Sequence, residues 1–442
     1  MMRSIFLILF VFAFSSKGFG QTVWSMEDCM RYAVKNASDA QKNRVQRDIA
    51  RDELTASSAQ FFPTIGANVG TSTSFGRSID PATNTYVNNT NFNNSYGISG
   101  NLTILDGLSL WNMRSINKIA LMRGDAEQRR IEDNIALQTM ASYIDVVYNY
   151  QMISISRQKL EESKLNLRFV TSQSEVGVKS SADVAQIEAE VALGELNLIN
   201  QQNGLEKSVL KLKDWMNYPL NDDIKTDTIV SQSPIIDTSM TNEEIVAYAL
   251  SELPTSKIAS FQLDEAIRRR RIALGEFFPT IYASGGISTS YYKNINGARE
   301  AASFKNQFKN NMGEYFGVSM SIPIFGRLQA HNKYRRAKNN VTIAEIERDK
   351  TLRALDSEVK QAIMDMEGAQ KALVQAEKGV LSQELAHKVN VEKYLNGMIT
   401  IIELQTSSNK LLLARVDKLN SYMTYAVKCR AVNYYKGEPL IK

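Results

Sequence analysis

Two short segments hold the side chains with the most chemical promise. EVGVKSSADVAQIEAE places Asp183 six residues after Gly177, and YLNGMITIIELQ places Glu403 six residues after Gly397. Glycine tolerates the positive φ of a helix reversal, so each segment is predicted to be a turn between helices. Each acid then falls in a first helical turn, where a carboxylate suits the helix dipole. Other groups offer less chemistry. His331 and His387 have no ligand partner at i+3 or i+4, and Cys29 with Cys429 has no zinc-cluster spacing. P-loop and nucleophile-elbow patterns do not occur. The reading is of a protein that is not an enzyme and needs no cofactor or metal.

Composition narrows the classes further. Across 442 residues, 52 basic side chains face 47 acidic ones, for a formal charge of +5. Arg3 and Lys17 lie in the first twenty residues, so the remainder carries about +3, too balanced to suggest nucleic-acid binding. Residues 1–20 join a basic Arg3 to an apolar run from Ile5 to Phe14 and small Gly18 and Gly20, the pattern of a secretory signal. Nothing later reaches the roughly 18 apolar residues of a spanning helix, so a membrane role needs a barrel.

The elements that must position the two acids come in duplicate. FFPTIGANVGTSTS at Phe61–Ser74 returns as FFPTIYASGGISTS at Phe277–Ser290, identical at ten of fourteen positions. Tyr32-Ala33 matches Tyr248-Ala249, NLTILDG ending at Gly107 matches MSIPIFG ending at Gly326, and Gly177 matches Gly397. The chain therefore divides into a signal at 1–20, a first repeat at 21–240 and a second at 241–442.

In each repeat a helical pattern gives way at Pro63 or Pro279 to alternation of apolar with small polar residues. This predicts strands at about 62–75, 92–106, 278–292 and 312–325, arranged as two hairpins. One apolar face and one face of Ser, Thr, Asn and Gly is what a strand needs between lipid and water. Gly76–Asn91 and Lys293–Asn311 read as solvated loops. Four strands cannot close a barrel, because about eight is the common minimum, so several copies must share one.

After each hairpin the period becomes helical for about 70 residues, roughly 100 Å at 1.5 Å per residue, and a return helix follows each tip near 177 and 397. Leu352, Leu355, Val359, Ala362, Met366, Ala369, Leu373, Ala376 and Val380 keep a 3-4 spacing, and Val184, Val191, Leu198, Leu205 and Leu212 recur every seventh residue.

Taken in order, TVWSMEDCMRYAVKN, the two FFPT segments, the strand exits TILDG and IPIFG, and the two tips resemble the TolC-like outer membrane efflux protein family over essentially the whole mature chain. The resemblance implies an α+β chain with four strands in an outer-membrane β-barrel shared by a homotrimer, continuous with a long periplasmic α-helical barrel of coiled coils. It implies the outer membrane of a Gram-negative bacterium, contact with outer-membrane lipid, a periplasmic membrane-fusion adaptor and a proton- or ATP-driven inner-membrane transporter. The activity implied is passive conduction, as exit duct of a tripartite efflux pump or type I secretion system. The alternative is a non-transporting trimeric envelope spacer with a barrel anchor.

By the same resemblance, Asp183 and Glu403 form the periplasmic constriction. Tyr394 hydrogen-bonds to the acid of the other hairpin, here Asp183. Gly177, Val178, Lys179, Gly397, Met398 and Ile399 form tip turns that dock the adaptor. The pattern departs at Ile399, where the family can carry an Arg. Cys29 and Cys429 lie near opposite ends of the chain, which meet if first and last helices are neighbours, and are a candidate periplasmic disulfide.

Overall fold

A computed structural model describes residues 23–79, 84–227, 240–296 and 301–441. The expected signal sequence at 1–20 lies outside them. In chain order the elements are β1 (Val23–Trp24), α1 (Met26–Asn36), α2 (Ser38–Ala59), β2 (Thr64–Ile79), β3 (Tyr86–Asp106), α3 (Ser109–Glu175), α4 (Ser181–Met216), β4 (Lys225–Thr226), α5 (Asn242–Glu252), α6 (Pro254–Gly275), β5 (Thr280–Asn294), α7 (Phe304–Asn310), β6 (Gly313–Ser321), α8 (Gln329–Leu395) and α9 (Ile401–Tyr435). They form two compact units. One comprises the described residues within 1–41, 131–245 and 359–442, and the other those within 42–130 and 246–358.

The second unit holds an antiparallel sheet in the order β2-β3-β5-β6. The two hairpins are thus not separate: β3 pairs along its length with β5, from Asn91↔Asn294 to Asp106↔Thr280, with a bulge between Thr103 and Leu105. Opposed residues share a face in an antiparallel ladder. One face therefore carries Ile65, Val69, Phe75, Ile98, Ile287, Phe316, Val318 and Met320, all exposed. The other carries small polar residues such as Asn68, Ser72, Ser95, Ser99, Ser284 and Ser319.

Both expected loops are more structured than the sequence suggests. Alternation continues through the Asn- and Thr-rich segment, so pairing extends to Ile79↔Tyr86. Within Lys293–Asn311 the helix α7 folds back on the sheet. Phe304 and Phe308 pack edgewise on Tyr96, at 6.0 and 5.6 Å between centroids. The Gln307 side chain accepts from the Tyr292 N–H and donates to its carbonyl, both at 2.9 Å, in the manner of a strand neighbour.

Among the described residues the regular structure of the first unit is helical apart from the parallel pair β1–β4. Ser25 and Asp28 cap α1 reciprocally. Its core gathers Cys29, Ala33, Ala40, Ile135, Tyr143, Val146, Leu212, Met216 and Met423 from α1, α2, α3, α4 and α9. The Tyr143 hydroxyl donates to the Asp227 carbonyl at 2.6 Å, tying the chain beyond β4 to this core. Along α8 the buried row is Val359, Ile363, Met366, Ala369, Leu373 and Val380. Ile363 replaces the expected Ala362 because a straight helix turns every 3.6 residues and drifts off a 3.5-residue repeat.

Cys29 and Cys429 are both buried, free thiols, and the candidate disulfide is not formed in this structure. Burial, then the neighbouring Asp28 carboxylate, pushes the Cys29 thiol up to about 12.

Candidate functional site at the two helical turns

The turns between α3 and α4 and between α8 and α9 are built alike. Gly177 and Gly397 have φ of 76° and 71°, the left-handed region that favours glycine. Their N–H groups bond back to the Ser174 and Tyr394 carbonyls, both at 3.0 Å. The following N–H groups, of Val178 and Met398, reach the Gln173 and Lys393 carbonyls at 2.9 and 2.8 Å. These bonds satisfy carbonyls that a helix end otherwise leaves open.

Each next helix starts with a reciprocal cap. The Ser180 N–H donates to the Asp183 carboxylate at 3.0 Å while the Asp183 N–H donates to the Ser180 hydroxyl at 3.1 Å. Thr400 and Glu403 repeat this at 2.7 and 3.3 Å. The Ser-x-x-Asp and Thr-x-x-Glu spacing was legible as a capping box, a signal more specific than a generic first-turn acid. Donation from the Ser180 N–H and then its hydroxyl holds the Asp183 carboxyl below the usual carboxylate range, with a smaller contribution from Lys179. Thr400 does the same for Glu403. Both groups are thus carboxylates at neutral pH.

The two turns share one apolar cluster: Val170, Ile187, Tyr394, Ile401 and Leu404, with Leu167, Phe169, Val184, Val391 and Ile399 around it. Ile399 therefore adds packing where the resemblance allowed an Arg. Tyr394 links the hairpins, but not as expected. Its ring meets Phe169 edgewise at 6.1 Å, and the Lys179 ammonium sits 5.1 Å from its centroid. Its hydroxyl is buried with no hydrogen-bond partner among the described residues. The expected bond to Asp183 is absent because that carboxylate is turned to Ser180. Val176, Val178, Met398 and Ile402 remain exposed.

A polar cluster elsewhere on the same helices escaped the sequence reading, because its members lie far apart in the chain. Lys159 on α3 reaches Ser408 on α9 at 2.6 Å and Glu190 on α4 at 3.5 Å. The Ser408 hydroxyl donates to Glu162 at 2.9 Å, and His387 on α8 lies 3.3 Å from the same carboxylate oxygen. Four helices are fastened by this one network. Among the described residues no cluster of His, Cys, Asp and Glu could hold a metal ion, and no helix is long and apolar enough to cross a membrane.

The profile of the family described as "Outer membrane efflux protein" matches residues 30–217 and 248–426. The chain is 20% identical over 406 residues to "Outer membrane protein TolC" of Escherichia coli (strain K12), covering 88% of this chain and 77% of that one. It is 21% identical over 391 residues to "Outer membrane efflux protein BepC" of Brucella suis biovar 1 (strain 1330), covering 87% and 79%. The crystal structure of the Campylobacter jejuni CmeC outer membrane channel superposes with a TM-score of 0.81 at 16% identity, covering 93% of this chain and 85% of that one.

Proposed function

The chain belongs to the outer membrane efflux protein family, and from that premise we propose that it is the outer-membrane exit duct of a tripartite efflux pump or type I secretion system. One observation carries the reading furthest. The four-stranded sheet has one apolar face and one small polar face, and its outer strands β2 and β6 each have a free edge among the described residues. An exposed edge is a template for another chain, and in lipid it must be paired. Three copies joined edge to edge make a closed 12-stranded barrel with lipid outside and water inside.

The helices support the same assembly. Leu193, Leu196, Ile199 and Leu210 leave an apolar stripe exposed along α4, which a neighbouring copy covers. In the trimer, Asp183 and Glu403 supply six carboxylates at the tips, a ring that favours cations. The exposed Val178 and Met398, one on each turn, offer paired apolar knobs to a periplasmic adaptor. Energy comes from an inner-membrane transporter; this chain contributes passage and no chemistry. Deleting the gene is expected to raise retention of pump substrates in the cell, with recovery on restoring it. Unchanged retention would favour the envelope spacer instead.

A further inference from the structure

Glu314 is the one acid on the apolar face of the sheet among the described residues. It opens the row that continues as Phe316, Val318 and Met320, all more than half exposed, and it stands opposite Ile287. Among the described residues no hydrogen bond or ion pair engages it. A carboxylate facing lipid is costly unless it is paired or lies near the interface. On β2 the same face carries one cation, Arg77, whose guanidinium carbon lies 5.0 Å above the Tyr86 ring on that face.

The repeat supplies the register between these two strands. Phe61 corresponds to Phe277, so Phe75 corresponds to Tyr291 and Arg77 to Lys293. With Ile104 as the extra residue of the β3 bulge, Asn94, Tyr96 and Ile98 correspond to Glu314, Phe316 and Val318, polar to polar, aromatic to aromatic and aliphatic to aliphatic. Inside the chain, Asn94 stands opposite Tyr291 and Phe92 opposite Lys293, so Asn94 and Lys293 are diagonal neighbours. Carried to the free edges, the same pairing sets Glu314 opposite Phe75 of a second copy and diagonal to its Arg77. Diagonal positions are within reach of long side chains.

We propose that Glu314 of one copy and Arg77 of the next form an ion pair across the β6–β2 seam, on the lipid-facing side. The inference rests on the shared-barrel reading and adds to it a register and a charge lock. Pairing removes an isolated carboxylate from the lipid face and opposes a slip of the seam, since a shift by one residue would turn Glu314 toward the lumen side.

Heating of the oligomer in SDS tests the pair. Glu314→Lys and Arg77→Glu, each placing like charges together, are expected to lower the temperature at which the oligomer band is lost, and the double reversal to restore it. The neutral double variant Glu314→Gln with Arg77→Gln should lose less than either single reversal. Ser72→Cys with Gly317→Cys reports the seam separately, because the transferred register sets these residues opposite each other. Cross-linking of that pair between copies, with melting unmoved by either charge reversal, would overturn the ion pair and leave the shared barrel standing. Absence of both cross-link and oligomer would overturn the barrel reading itself.

Discussion

The backbones of Gly107 and Gly275 press directly on one another. A Cβ built on Gly275 would come 2.5 Å from the Gly107 carbonyl oxygen, and one built on Gly107 would overlap the Gly275 backbone. Gly107, at φ 65°, ends the exit from β3, and Gly275 ends α6. Gly107→Ala is therefore expected to destabilise by about 3 kcal/mol, combining overpacking with a left-handed backbone, and Gly275→Ala by about 2 kcal/mol from overpacking. Urea midpoints in detergent check both, and equal effects would argue against a separate cost from the Gly107 backbone.

Lys159 is held by Ser408 and Glu190 with its side chain only 14% exposed. Lys159→Met leaves Glu190 unpaired at 21% exposure, and breaking such a pair from one side should cost about 3 kcal/mol. Replacing Glu190 by Gln as well should recover part of the loss, measured as a double-mutant cycle in urea.

The tip acids give the turns a pH dependence with a definite sign. Capping holds the Asp183 and Glu403 carboxyls below their ordinary values, so the stabilisation is present above the ordinary carboxylate range. It is lost as pH falls through the lowered, folded-state values. Amide exchange of the tips, corrected for intrinsic rate, should accelerate on acidification. In Asp183→Asn with Glu403→Asn that acid-induced rise should be smaller, and a rise of undiminished size would remove the carboxylates as its cause.

Cys29 is fully buried with its thiol pushed up to about 12, and Cys429 is 1% exposed with its thiol raised, chiefly by burial. Neither presents a thiolate at neutral pH. Maleimide should label both only after unfolding, without prior reductant. Label uptake that requires reductant would reveal a bridge that this structure does not contain.

The strands, the turns and the long helices were legible because each rests on local pattern: Pro63 and Pro279 before alternation, Gly177 and Gly397 between helical periods. The join of β3 to β5 was not, since pairing of two distant hairpins leaves no local trace. Helix α7 was hidden because FKNQFKN reads as a polar loop until Phe304 and Phe308 find Tyr96. At the site, positions of acids and glycines followed from spacing. The Lys179–Tyr394 stacking and the inward turn of Ile399 depend on how the two hairpins pack, which one hairpin's sequence does not specify.

Voltage-clamp recording of the purified oligomer in planar lipid bilayers tests the duct most directly. Discrete conductance steps with cation preference are expected, and Asp183→Asn with Glu403→Asn should weaken that preference while the steps persist. Folded oligomer that inserts without conducting, in the native chain and in that variant alike, would contradict a continuous channel.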